Sequence, residues 1–176
     1  MSLEDTICAI ATPLGIGGVG IIRISGQEAP KIASAISKLK GFIPNTIKYS
    51  QVINPQTKES VDDVLISFFQ APNSYTGEDT IEINCHGGQL VLQNVLSLVI
   101  EQGARVAEPG EFTQRAFLNG KLDLAQVEGV IDLIHAKTEK SSKVALQLLE
   151  GKVSLRIQTI RQELIALISH LEVHLD

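Results

Sequence analysis

The chain has 176 residues, 44% of them apolar and 20% charged, with a formal net charge of −5. This is the balance of a globular chain with one domain, or one domain plus an appendage, and it excludes a self-sufficient nucleic-acid binder, which needs a strongly basic surface for phosphates. Two cysteines, Cys8 and Cys85, cannot make a disulfide scaffold and fit a reducing cytoplasm; the opening residues 1–6 show no basic or apolar leader, and no apolar run reaches the ~18–20 residues of a membrane-crossing helix.

Residues 6–11 and 19–25 are short β-branched runs and predict two strands, with the glycine-rich segment 15–20 between them. Residues 27–40 predict a helix, with Pro30 tolerated in its first turn and Gly41 as its stop. Residues 47–53 predict a strand closed by Asn54-Pro55, and 61–70 another. Residues 80–85 alternate, with Ile81, Ile83 and Cys85 on one face and Thr80, Glu82 and Asn84 on the other. An apolar helix follows over 89–102, ending at Gly103; then come a short strand at 105–107 and a short helix at 111–118 stopped by Asn119-Gly120.

The composition changes at this point. All six prolines precede Gly120, and residues 121–176 hold only Gly129 and Gly151. The chain therefore divides into an α+β part over 1–119 and an all-α part over 120–176. The second part predicts one helix over 122–136 and a second, long one from 138–142 towards the C-terminus. In the long helix Ile157, Ile160, Leu164, Leu167 and Leu171 follow the 3-4 spacing of a bundle seam, which two helices cannot bury well alone.

Three segments carry candidate chemistry. Residues 15–20 satisfy G-x-G-x-x-G, but a strand-like Ile21-Ile22-Arg23-Ile24-Ser25 follows where a dinucleotide site needs a helix; a tight glycine turn between strands is the reading kept. Arg23 stands on that otherwise apolar strand. Residues 78–88 are the densest polar group. There Glu82 is either a solvated strand residue or an acceptor for a paired N–H edge. His86-Gly87-Gly88 is either an anion-binding helix start or a turn. Cys85 and His86 point to opposite faces, which argues against a nucleophilic dyad, and the scattered His86, His135, His170 and His174 make no metal set. Residues 108–124 read as a turn, a short helix with an ordinary Glu111–Arg115 i,i+4 pair, and a connector in which Lys121 follows the glycine stop.

Taken together, these segments resemble a known family. Asp5-Thr6-Ile7, Ala11-Thr12-Pro13 and the run 17–26 look like the opening of the MnmE (TrmE) family of tRNA-modification GTPases. The stretch Pro72-Asn73-Ser74-Tyr75-Thr76-Gly77-Glu78-Asp79 with His86-Gly87-Gly88, and the stretch 109–126, resemble that family's central and most distinctive signatures. Two positions depart from the usual pattern: Ile16 stands where many members carry a basic or polar residue, and Asn84-Cys85 where a glycine is common before the histidine.

The resemblance implies an α+β tetrahydrofolate-binding domain, aminomethyltransferase-like, followed by the first part of a helical bundle into which the family inserts a GTPase domain. The sequence holds no G-x-x-x-x-G-K-[ST], so no GTP hydrolysis is expected of these residues alone. The resemblance further implies a cytoplasmic protein that works with the flavoprotein MnmG on the C5 position of the tRNA wobble uridine. The one-carbon unit comes from 5-formyl- or methylene-tetrahydrofolate; GTP, magnesium and potassium belong to the missing domain. It implies homodimerisation through the N-terminal domain, tRNA contact mainly through the full complex, and no membrane. It carries folate binding to Arg23, Glu82 and Lys121, with pocket loops at Gly17, Gly18, Thr76, His86, Gly87, Gly88, Phe112 and Arg115. No residue is assigned a catalytic or metal-binding role. An assembly module without productive folate binding is the alternative.

Overall fold

The computed structural model describes residues 5–13, 15 and 17–175, with side chains to Glu172. The leader reading at Met1–Glu4, the departure at Ile16 and the side chain of His174 lie outside the described residues. Contacts divide the chain into two compact units, one ending at Lys121 and one beginning at Leu122.

The first unit contains β1 (Ile7–Ile10), β2 (Val19–Ser25), α1 (Ala29–Ala35), β3 (Ile47–Ile53), β4 (Ser60–Phe69), β5 (Thr80–His86), α2 (Gln89–Glu101), β6 (Arg105–Val106) and α3 (Glu111–Leu118). The strands form one mixed sheet in the order β3-β4-β5-β2-β1-β6, antiparallel except for β1 beside β6. The period-2 pattern decides its two faces. Ile22, Ile24, Ile81, Ile83, Cys85, Val64, Ile66 and Phe68 point into one core, with Ala29, Ile32 and Ala33 of α1 and Leu92, Val95, Leu98 and Val99 of α2. The opposite face is more polar. Across it the register sets Ala9, Arg23, Glu82, Ser67 and Ile47 in one row.

β1 and β2 are antiparallel neighbours, so a strand, and not the helix a dinucleotide site needs, follows the glycines, as the β-branched run requires. α1 is shorter than the sequence suggests. It ends at Ala35, and the chain then pairs with β3: Ile53 N–H donates to Ile36 O at 2.8 Å and Lys38 N–H to Gln51 O at 3.3 Å. A strand edge with unsatisfied backbone groups competes successfully with further helical turns.

The second unit contains α4 (Leu124–His135), α5 (Glu139–Leu149) and α6 (Lys152–Leu175). Asp123 and Thr138 each close a capping box, with Gln126 and Ser141 respectively. The single long helix expected after residue 138 is in fact two. Gly151 adopts φ +71°, and Gln126 Nε2 donates to Leu149 O at 2.9 Å, satisfying a carbonyl at the end of α5. Gly129 lets α4 approach α5: a Cβ there would stand 2.9 Å from Leu148 Cβ and 3.0 Å from Leu149 N. The apolar stripe of α6 is exposed throughout, from Ile157 through Ile160, Leu164 and Leu167 to Leu171. Among the described residues no helix is long and apolar enough to cross a membrane.

Candidate functional site

Arg23 on β2 and Glu82 on β5 face each other in register. Arg23 Nε donates to Glu82 Oε1 at 2.8 Å, and its NH2 stands 2.7 Å from the same oxygen. Among the described residues Oε2 accepts no hydrogen bond and remains available. The two side chains are 27% and 20% exposed, shielded but reachable. The Arg23 guanidinium carbon lies 5.5 Å from the centroid of the Tyr75 ring and 5.7 Å from that of Phe112.

Tyr75 belongs to the segment 70–79, which is pinned at many points. Ala71 N–H donates to Asp79 Oδ1, Ser74 Oγ to Glu78 O, and Asn119 Nδ2 to Thr76 O at 2.8 Å. Lys121 Nζ donates to Pro72 O at 3.0 Å, and its stem runs beside Gly77, whose φ is +78° and where a Cβ would stand 3.2 Å from Lys121 Cγ. Lys121 thus joins Arg23 and Glu82 through this segment rather than by direct contact.

Thr76 is fully buried, bonded to Ser25 Oγ at 2.7 Å, and shapes the segment from beneath. Arg115 is only 1% exposed and is committed to protein partners: Asp5 O at 2.7 Å, both oxygens of Glu78 at 3.2 Å, and Glu111 Oε1 at 3.1 Å. The Glu111–Arg115 pair is therefore part of a buried network and not an ordinary surface pair. Arg105 completes it, reaching Asp5 Oδ2 at 2.9 Å and both oxygens of Glu111 at 3.0 and 2.7 Å. Arg105 chiefly, with the Glu108 N–H and Arg115, outweighs burial and holds the Glu111 carboxyl down to about 2. Arg105, Glu78 and Tyr75 were not singled out from the sequence; only Glu78 and Tyr75 fall within a quoted signature.

The remaining loop residues gather at the other end of β2 and β5. Val19 pairs with His86, four positions from Glu82, or about 13 Å along a strand. Gly87 packs on Gly17, whose carbonyl oxygen would be 2.3 Å from a Cβ at position 87, and its N–H donates to Gly18 O. Gly88 caps α2 without a side-chain bond. His86 is exposed, its Nδ1 2.6 Å from Asp62 Oδ1, and Asp62 raises its pKa above the ordinary imidazole value. Cys85 faces the core, where burial pushes its thiol up to about 12; Cys8 is likewise pushed up to about 11. Cys85 and His86 therefore do not form a thiol–imidazole pair. Among the described residues no three His, Cys, Asp or Glu side chains converge on a metal position.

Residues 6–121 match the family model for the GTP-binding protein TrmE N-terminus, and residues 124–176 match the MnmE helical domain. The chain belongs to the MnmE family. It is 53% identical over 180 residues to the tRNA modification GTPase MnmE of Acetivibrio thermocellus, covering 100% of this chain and 39% of that relative. It is 49% identical over 182 residues to that of Alkaliphilus oremlandii, again covering 100% of this chain and 40% of the relative. The chain thus spans about two fifths of the length of the curated MnmE relatives it matches.

Proposed function

We propose that this chain is the reduced-folate-binding and dimerising part of a cytoplasmic MnmE tRNA-modification GTPase. With a MnmG flavoprotein, such a protein would install an aminomethyl or carboxymethylaminomethyl group at C5 of the tRNA wobble uridine. The observation that carries this reading is the largely shielded Glu82 carboxylate, its Oε2 open among the described residues, bonded to an Arg23 that lies near the Tyr75 and Phe112 rings. That acceptor fits a reduced pterin. The ring presents adjacent N–H and NH2 donors, which need a carboxylate acceptor. Folate would supply the one-carbon unit; the chain's own residues would bind and orient it. Lys121 supplies a cation for the more solvated, anionic end.

GTP, magnesium and potassium are assigned to the family's GTPase domain, since no phosphate loop occurs in these 176 residues. The test is a calorimetric titration of the parent and Glu82→Gln with 5-formyltetrahydrofolate. Glutamine satisfies Arg23 with its amide oxygen and then turns NH2 towards the ligand's donors. The expected loss is about 2–4 kcal/mol, roughly 30- to 1000-fold in affinity. Binding by Glu82→Gln within twofold of the parent refutes the pterin assignment. The exposed stripe of α6 supports a second reading, an assembly module without productive folate binding; a parent that dimerises but takes up no folate would establish it.

A further inference from the structure

Arg23 is held by more than Glu82. The two rings near its guanidinium come from separate elements: Tyr75 from the segment 70–79, Phe112 from the first turn of α3. They are also locked to one another, because the Tyr75 hydroxyl lies 2.9 Å from Oγ1 of Thr113, the neighbour of Phe112. A guanidinium is a planar fork, so packing aromatic rings against it restricts its N–H directions. Here Nε–H donates to Oε1, and NH2 stands 2.7 Å from that same oxygen. That is not the arrangement an unconfined arginine favours, which is a side-by-side pair of bonds to both carboxylate oxygens.

We propose that Tyr75 and Phe112 are positioning residues of the reduced-folate site. They hold Arg23 on Oε1 of Glu82 and so keep Oε2 as the acceptor offered to the ligand's N–H edge. Without them Arg23 relaxes to the two-oxygen fork and occupies the acceptor the ligand needs. The rings act through Arg23, and the inference rests on the folate reading above.

The test has one arm without ligand and one with it. In the parent, the Arg23 Nε–H resonance, assigned by its loss in Arg23→Lys, is expected to exchange slowly. In Tyr75→Leu and Phe112→Leu its shift and exchange rate should both change. In calorimetry with 5-formyltetrahydrofolate, each Leu variant is expected to bind about three- to tenfold more weakly, while Tyr75→Phe, which keeps the ring, stays within about twofold. In an Arg23→Ala background, Phe112→Leu should add nothing further. If Phe112→Leu is unfolded, Phe112→Met fills the same space without an aromatic face and replaces it. An Nε–H resonance unmoved in the Leu variants overturns the proposal. So does a Phe112→Leu penalty that persists in full without Arg23, which would mean the ring meets the ligand itself. A parent that binds no folate while Nε–H responds as expected sinks the folate reading and leaves the clamp standing.

Discussion

Glu111→Gln tests whether the charged network under the site acts as a structural brace. The native carboxylate accepts four hydrogen bonds: Arg105 at 3.0 and 2.7 Å, Arg115 at 3.1 Å and Glu108 N–H at 2.8 Å. Glutamine keeps one acceptor oxygen and sets an NH2 against at least one of these donors. Arg115, 1% exposed, then has Glu78 as its remaining carboxylate partner. Breaking a buried pair from one side costs about 3–5 kcal/mol. Linkage gives a similar size. A folded-state pKa of about 2, against an ordinary value of 4.5, corresponds to about 3 kcal/mol at 1.36 kcal/mol per unit. The sign follows from the depression: the contribution is complete above the unfolded value and is lost as pH falls from about 4.5 towards 2. Both tyrosines, Tyr49 and Tyr75, lie in the first unit, so tyrosine fluorescence during urea unfolding reports on that unit alone. The expectation is a loss of about 3 kcal/mol at neutral pH and a flatter acid limb than the parent's. A variant within about 1 kcal/mol of the parent at pH 7, or one with the parent's acid limb, would refute the brace.

Lys121→Ala is expected to weaken 5-formyltetrahydrofolate binding less than Glu82→Gln does and to flatten its salt dependence, measured by titration at two ionic strengths. An unchanged salt slope would remove Lys121 from the site. Gly129→Ala should destabilise α4, although alanine is the better helix former by about 1 kcal/mol, because the added methyl meets Leu148 Cβ and the α5 backbone at about 3 Å. Faster amide exchange in α4 is the readout, and slower exchange would contradict the packing. Light scattering at tens of micromolar, a usual assay range, should show a dimer, with further association removed by Leu164→Glu on the exposed stripe of α6. A monomer would count against the dimerising role.

Much of the fold was legible because its signals are local. The alternation at 80–85 put Ile81, Ile83 and Cys85 on one face and Glu82 on the other, and the end of α3 followed from Asn119-Gly120. Residues 21–25 put a strand, and not a helix, after the glycines. Where the sequence misled, a distant partner decided. α1 stops at Ala35 because β3 offers an edge to the next three residues, and α5 parts from α6 where Gly151 turns left-handed and a side chain from α4 takes the freed carbonyl.

The candidate site divides the same way. Arg23, Glu82 and Lys121 were named through the family resemblance, but no local pattern says that Arg23 meets Glu82 across 59 positions or that its Nε and NH2 both stand close to a single oxygen. Arg115 looked like half of a surface pair because i,i+4 spacing shows only its neighbour on the helix. Its burial depends on the Asp5 carbonyl 110 positions away. The sequence by itself determined which faces are apolar, where turns fall and which residues carry charge, since these depend on neighbours a few positions apart. Tertiary structure alone decided which charges are buried, which acceptor stays open and which aromatic rings surround Arg23, because those depend on strand register and loop docking over tens of residues.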